Sequence, residues 1–264
     1  AARRLAAPLW SRDKALDDES LRLILVGAAS VGASGPVHLA TGLPLAWFGA
    51  QHRDLKTALR GYGGMVVLPD GTRTRLWFES VLVLPQGVSA AGPVLDAPFY
   101  EPGPYLLVDM GYRTTDFILV TKQPDGALTF DPLAAGSLEL GMHHVQSAVA
   151  EHLTAMHHTV FTPAQVAETD AVIVRGQRMD LTAIRRQHAL QIAQRVVQGL
   201  LAKLDHQMDQ VLGLLVVGGG SALLAQVIPG VIEPPDPQWA NARGYLAALL
   251  ATQQTLSAPM APPS

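Results

Sequence analysis

The chain has no cysteine, few aromatic residues and no strong excess of charge of one sign. The absence of cysteine excludes disulfide bonds, thiolate zinc sites and thiol nucleophiles. The formal net charge is −3, and charged residues make up only 16 % of the 264 residues. Because there is no strongly basic block, unaided electrostatic capture of DNA is not expected, and any link to nucleic acid should run through a partner.

Long hydrophobic runs are also missing. The longest apolar stretch, Leu21 to Ala33, is interrupted by Arg22, Gly27 and Gly32, and it falls short of the roughly 20 residues that cross a bilayer. The first residues, Ala-Ala-Arg-Arg, show neither an initiator methionine nor a secretory signal pattern. We therefore expect a cytoplasmic protein, and we expect the sequence to begin inside a longer chain.

What the chain does contain is enough apolar material for two lobes with buried cores, since hydrophobic residues make up 48 %. Strand periodicity in 65–68, 74–78 and 80–84 follows a helical pattern in 17–30. The longest predicted helix spans residues 182–210. Alternating strands and helices with short hairpins predict an α/β protein with mixed sheets. Residues 95–104, with three prolines and a glycine, suggest a hinge-like connection.

The first chemical motif is Asp-Met-Gly-Tyr-Arg-Thr-Thr-Asp at residues 109–116, directly after an apolar run. Gly111 permits a tight turn whose amides can point at an anion, and Thr114 and Thr115 add hydroxyl donors. Asp109, at the predicted strand end, could hold Mg²⁺ or a metal-bound water. An ordinary hairpin with an Asx turn explains the same residues about as well.

The second motif is the triple glycine Gly218-Gly219-Gly220, followed by Ser221, between an apolar strand and a predicted helix. Glycines there let a base or ribose lie against the backbone, and the helix offers a positive N-terminus. The motif is neither a dinucleotide fingerprint nor a Walker A loop. Close strand–helix packing explains it about as often as a ligand does. Together, the two motifs predict a nucleotide held between two lobes, with the two corners meeting it from opposite walls.

Other candidate residues have simpler explanations. Gln86 ends an apolar strand after Pro85, where its amide could orient a water for attack on a terminal phosphate; an isolated glutamine at a strand end is otherwise a surface residue. The nine histidines lack the spacing of a zinc hydrolase site, so we expect no histidine metal site. Arg185 and Arg186 could approach a base or phosphate, although simple solvation is favoured.

The order of several stretches resembles that of bacterial and plasmid actin-like proteins. Thr41-Gly-Leu-Pro-Leu45 comes first, and then come Pro85-Gln86, the 109–116 motif, Val217–Ser221 and Asn241-Ala-Arg-Gly-Tyr-Leu246. From about residue 17 to residue 250, the chain is similar to the ParM/StbA type of plasmid-segregation ATPase. That type belongs to the actin, sugar kinase and heat-shock chaperone superfamily. The joint order of the motifs is far more specific than any one of them.

The resemblance implies an α/β, actin-like ATPase fold of two lobes, each with a mixed sheet flanked by helices, around a cleft for ATP and Mg²⁺. It assigns residues 1–100 to the first lobe, 101–244 to the second, and 245–264 to a helix that returns to the first lobe plus a loose tail. No strand with an Asp-x-Gly phosphate loop precedes Thr41. The first lobe is therefore expected to be incomplete, and the sequence as given should bind nucleotide weakly.

The resemblance also implies roles for individual residues. Gln86 would position the hydrolytic water, and Asp109 would act in catalysis and hold Mg²⁺ through water. The second phosphate loop would contain Asp109, Gly111, Thr114 and Thr115, and the adenosine loop would contain Gly218, Gly219, Gly220 and Ser221.

Proteins of this type form filaments with ATP, disassemble after hydrolysis and move plasmid DNA through an adaptor. The implied partners are further copies of the chain and a DNA-binding adaptor, without direct nucleic-acid or membrane contact. Two alternatives remain: a non-polymerising small-molecule kinase of the same superfold, and a nucleotide-free scaffold. Gln86 is a poor general base, which disfavours the kinase.

Overall fold

The computed structural model describes residues 17–167 and 169–257, and these form two compact units. Unit 1 contains the described residues up to Gln86 and from Tyr245 onward, and unit 2 runs from Gly87 to Gly244. The chain therefore passes between the units twice, at 86/87 and at 244/245. Residues 95–104, predicted as a hinge-like connection, lie inside unit 2. The lobe boundaries implied by the resemblance stay a prediction.

Unit 1 is built on a three-stranded mixed sheet of order β1-β3-β2, with β1 parallel and β2 antiparallel to β3. Leu55, Leu59, Leu76 and Phe78 are fully buried in its core. The elements in chain order are α1 (Asp18–Ser30), β1 (Gly35–Leu43), α2 (Leu45–Leu59), β2 (Gly63–Val67) and β3 (Arg73–Pro85).

The two strands predicted at 74–78 and 80–84 are one continuous strand, β3. Its pairing register with β1 shifts between Val37, which faces Phe78, and His38, which faces Ser80. Glu79 is therefore the extra residue of a β-bulge, which accommodates a polar residue without ending the strand. Because residues 79 and 80 are both polar, the sequence pattern predicted two separate strands there.

Unit 2 has a four-stranded sheet of order β6-β5-β4-β9, in which β4 is antiparallel to β5 and parallel to β9. The mixed sheets and flanking helices of both units confirm the predicted α/β class. The elements in chain order are α3 (Val88–Leu95), β4 (Gly103–Met110), β5 (Thr115–Lys122), β6 (Leu128–Leu138), α4 (Met142–His157), α5 (Pro163–Ala167), the hairpin β7 (Ala171–Val174) and β8 (Gln177–Asp180), α6 (Thr182–Leu204), β9 (Gly213–Val217), α7 (Ser221–Ala225) and α8 (Ala240–Ser257), which continues into unit 1.

Helix α6 supplies the buried apolar stripe that the four-residue spacing predicted. Ile192, Val196 and Leu200 pack against β4 and β9 residues in the core of unit 2. The helix ends at Leu204 rather than Gln210, because Asp205 adopts a positive φ of 42° that an α-helix does not allow. Residues 205–210 continue as a 3-10 helix.

Helix α3 was missed because its sequence contains Gly92 and Pro93, which both disfavour helix interiors. Pro93 has no amide to donate to the Ser89 carbonyl. Gly244 of α8 packs directly against that carbonyl, and a side chain at Gly244 would overlap it. Packing therefore stabilises a helix that local propensity does not favour.

Lys122 holds the far end of α3 from inside unit 2. Its side chain is buried, and Nζ donates to the carbonyl oxygens of Leu95 (2.5 Å), Tyr100 (3.0 Å) and Ala97 (3.2 Å). A buried ammonium group is tolerated only when its hydrogen bonds are satisfied. These bonds fix the segment after α3 onto β5.

We predict that Lys122→Met lowers the free energy of unfolding by roughly 2–4 kcal/mol, because it leaves buried carbonyls without their charged donor. Lys203→Met is the matched control. Lys203 is exposed in the last turn of α6, so its loss should cost less than about 1 kcal/mol. Urea unfolding of both variants checks the difference, and equal losses would contradict the structural role of Lys122.

Candidate functional site

The two glycine motifs lie side by side at one edge of the unit 2 sheet. Strands β4 and β9 are adjacent and parallel, with Asp109 paired to Val217. The carboxyl ends of adjacent parallel strands meet at the same edge, where ligands commonly bind in α/β folds. The structure thus brings the motifs together, but as neighbours on one sheet rather than from opposite walls as expected.

Two of the three glycines are explained by packing. Gly218 has a φ of 88°, and a Cβ there would overlap Asp109 Oδ1 and lie 2.5 Å from the Met110 carbonyl oxygen. A Cβ on Gly220 would lie 2.5 Å from Met110 Cγ, and its amide donates to the Met110 carbonyl (2.9 Å). Both positions therefore need glycine so that β9 can approach the end of β4.

Gly219 is different from its neighbours. It is exposed, and a Cβ built on it would meet no atom within 4 Å. Its backbone is therefore the open surface of the loop, directly beside the end of β4. Ser221, by contrast, is 2 % exposed, and α7 is only five residues long.

The turn after β4 presents backbone amides on one side. The carbonyls of Gly111 and Tyr112 accept hydrogen bonds from the Met142 (3.1 Å) and His143 (2.7 Å) amides of α4. In a trans peptide the C=O and the following N–H point in opposite directions. The amides of Tyr112 and Arg113 therefore point away from α4, as an anion-binding turn requires.

The two threonine hydroxyls of the turn are engaged within the protein. Thr115 is fully buried, and its hydroxyl donates to the Leu140 carbonyl (2.7 Å). The Thr114 side chain hydrogen-bonds to Asp116. The Gly111 amide is likewise engaged, since it donates to the Thr114 carbonyl (2.9 Å). The predicted role of the two hydroxyls as nucleotide ligands stays a prediction.

Asp109 is partly buried at the end of β4, and burial raises the pKa of its carboxyl. Asn241 Nδ2 donates to Asp109 Oδ2 (2.6 Å), which opposes that shift in pKa. The Asn241 side-chain oxygen accepts from the Gly87 amide (2.7 Å). Asn241 was not among the predicted site residues, although its Asn-x-x-Gly spacing was the available signal.

A second carboxyl lies across the hairpin, since Asp116 pairs with Asp109 in the β4–β5 ladder. Burial raises the pKa of Asp116 to about 6, although a hydrogen bond from Ser137 lowers it, and the negative charges of Asp109 and Glu139 raise it further. The edge of the sheet therefore concentrates negative charge in a poorly solvated place, which a cation would stabilise.

A cavity of about 370 Å³ lies between the N-terminal part of α6 and the α7 segment. Arg185 is bound to the Val166 and Thr169 carbonyls and to Asp170, so it is structural. Arg186 is exposed and faces the cavity together with Thr182, Ala189, Leu223 and Gln226.

These features fit a nucleotide with Mg²⁺. Mg²⁺ takes few protein ligands and completes its shell with water and phosphate oxygens, so a single carboxylate such as Asp109 suffices to hold it. In the part of the chain that the structure describes, no group of three or more His, Asp, Glu or Cys side chains forms a metal cluster.

Among the described residues, no helix has the length and apolar character of a bilayer-spanning segment.

Gln86 lies at the end of unit 1, directly after β3. Its amide donates to the Leu43 carbonyl (2.8 Å), which extends the β1–β3 pairing by one residue. Its backbone is therefore fixed, and its side chain is half-buried. Its role in positioning water stays a prediction.

Known proteins match both parts of the chain. A family model described as the C-terminal domain of the archaeal, MreB-like actin homologue matches residues 107–229. A second family model, the N-terminal domain of actin-like proteins, matches residues 2–88. An archaeal actin homolog of Thermoplasma acidophilum is 29 % identical over 233 residues, which cover 83 % of this chain and 70 % of the relative.

Solved structures of actin-like proteins are similar to this chain in fold. A crystal structure of an archaeal actin homolog has a TM-score of 0.77 at 25 % identity, over 91 % of this chain and 77 % of that one. The same homolog in complex with ADP has a TM-score of 0.75 at 25 % identity, over 92 % and 79 %. A 15-stranded ParM filament from Clostridium botulinum has a TM-score of 0.75 at 19 % identity, over 89 % and 74 %, which is a likeness of fold.

Two mixed α/β units with this topology define an actin-like ATPase fold. The two family matches and these structures confirm the predicted resemblance to actin-like, ParM-type proteins.

We predict that Gly218→Ala lowers the free energy of unfolding by at least about 2 kcal/mol, because alanine is strained at a positive φ and overlaps the end of β4. Gly219→Ala should change it by less than about 0.5 kcal/mol, since its surroundings are open. Chemical unfolding of the two variants is the measurement. Equal effects would contradict the different packing of the two glycines.

The raised pKa of Asp116 predicts a pH-dependent stability. Its protonated form is favoured in the fold, so this contribution is complete below the ordinary value of 3.8 and is lost as pH rises through about 6. Asp116→Asn should therefore be more stable than the parent at pH 8, by up to about 3 kcal/mol.

The advantage of Asp116→Asn should disappear near pH 4, where both side chains are neutral. Asp125→Asn, in the exposed turn after β5, is the control and should show no such trend. Thermal unfolding across this pH range checks the prediction. A constant difference between parent and Asp116→Asn would contradict it.

Proposed function

We propose that this protein is a nucleotide-dependent, filament-forming ATPase that binds ATP and Mg²⁺ at the edge of the unit 2 sheet where β4 and β9 end. The observation that carries the proposal is the contrast within the triple glycine. Packing against Asp109 and Met110 accounts for Gly218 and Gly220, whereas Gly219 is open and exposed. A bound ligand gives a reason for a bare backbone at that position.

Each part of the nucleotide has a counterpart in unit 2. The amide of Tyr112 is oriented to receive a phosphate oxygen, and Gly219 offers an open backbone for the ribose. The cavity lined by Leu223 and Gln226 would take the base. Support for a nucleotide ligand also comes from the ADP complex of the archaeal homolog.

Asp109 would hold Mg²⁺ through water at the phosphate edge of this site. When bound, the ion would neutralise phosphate charge and stabilise the charge of the transition state. The hydrogen bond from Asn241 Nδ2 keeps the Asp109 carboxylate in one orientation. For Gln86, the support is the resemblance, in which this residue orients the attacking water.

Assembly into filaments is proposed from the family and from the likeness of fold to a ParM filament. Its use in plasmid or DNA segregation, with a DNA-binding adaptor as partner, rests on the sequence resemblance alone. A cytoplasmic location is proposed on the same ground.

Asp109→Asn in the full-length protein tests the proposal. Asparagine keeps the shape of the side chain but removes the charge that holds Mg²⁺, so phosphate release from ATP should fall by roughly 100-fold or more. Asp131→Asn, an exposed aspartate on β6, is the control and should retain activity. Phosphate release and light scattering with ATP and Mg²⁺ are measured together.

Three results would contradict the proposal. A parent protein that stays monomeric at high concentration with ATP and Mg²⁺ would exclude a filament. Normal assembly by Asp109→Asn without any turnover in the parent would indicate a scaffold. Transfer of labelled phosphate to a small-molecule acceptor such as a sugar or acetate would indicate a kinase.

A further inference from the structure

We propose that Asn241 is a positioning residue that couples Asp109 to the point where the chain enters unit 2, at Gly87. The inference rests on the proposed function and adds a residue to its machinery. Asn241 is the single asparagine of the chain, and its side chain makes two short hydrogen bonds in opposite directions.

The chemistry of the two partners fixes the orientation of the Asn241 amide. The Gly87 amide can only donate, so it must face the side-chain oxygen, and it does so at 2.7 Å. The Asp109 carboxylate can only accept, so it must face the side-chain nitrogen, which lies 2.6 Å from Oδ2. A carboxylate offers only acceptors and an ammonium group only donors, so neither could serve both partners.

Gly87 is a sensitive point for such a contact. It is buried, it has a φ of 81°, and it lies between Gln86 and the first turn of α3. Its amide therefore belongs to the peptide that carries Gln86, the residue proposed to orient water. One rigid amide thus connects the proposed Mg²⁺ ligand to the backbone next to the proposed water-positioning residue.

The second passage of the chain between the units lies close to the same contact. Gly244, three residues after Asn241 in the sequence, packs against the Ser89 carbonyl in the first turn of α3. The start of α8 and the start of α3 are therefore held together within unit 2. A shift of the Asp109 carboxylate on ligand binding would be transmitted through Asn241 to the backbone at Gly87.

Two variants separate the two hydrogen bonds. Asn241→Asp keeps an acceptor for the Gly87 amide but loses the donor to Asp109, and Asn241→Leu keeps the branched shape but loses both. Gln238→Ala, an exposed change in the same segment, is the control. Each is measured in the full-length protein for nucleotide affinity, for turnover, and for hydrogen exchange of the Gly87 amide with and without Mg-ADP.

In the parent and the control, Mg-ADP should slow exchange of the Gly87 amide. Asn241→Asp should keep the protection seen without ligand and lose the response to Mg-ADP, and Asn241→Leu should lose both. Turnover should fall about tenfold or more in both, because a misplaced catalytic group loses rate steeply. Affinity for ADP should change less than about threefold, because the phosphate and base contacts remain.

If both variants keep parental turnover and the Gly87 response, Asn241 is only structural and the inference fails. The same conclusion follows if affinity and turnover fall together with protein stability. If the parent itself neither binds nor hydrolyses ATP, the proposed function fails first. The control variant and the parent therefore distinguish the two failures.

Discussion

The parallel pairing of β4 with β9 is the constraint on which the site depends. It places Asp109 opposite Val217, so the turn after β4 and the loop after β9 must leave the sheet side by side. Gly218 and Gly220 let the loop lie directly on Asp109 and Met110. Without that close approach, an open backbone at Gly219 and a carboxylate at Asp109 would not belong to one site.

The same packing sets the electrostatics. Asp109 and Asp116 are register partners at the edge of the sheet, and burial raises the pKa of both carboxyls. Two poorly solvated carboxyls side by side disfavour ionisation of both and lower stability when both are charged. A site that binds a cation together with phosphate gives these residues a purpose, and Asn241 supplies the hydrogen bond that keeps Asp109 oriented.

Sequence patterns predicted the α/β class, the apolar stripe of α6 and the two motifs themselves. They failed where tertiary contacts override local preference, as in α3. Its Gly92 and Pro93 disfavour a helix locally, but contacts with Gly244 and Lys122 stabilise it. They also could not show which glycines are required by close packing, or that the Thr115 hydroxyl donates a hydrogen bond to the Leu140 carbonyl. Such facts depend on neighbours that are distant in sequence, as does the contact of Asn241 with Asp109.

The central claim is that one nucleotide contacts both the β4 turn and the β9 loop. Backbone amide NMR of the isotope-labelled protein, titrated with Mg-ADP, tests it most directly. The account predicts that the amide signals of Tyr112 and Gly219 shift together along one saturable binding curve, while that of Gly126, in the exposed turn after β5, does not move. Saturable shifts confined to other parts of the chain, with Tyr112 and Gly219 unchanged, would contradict it.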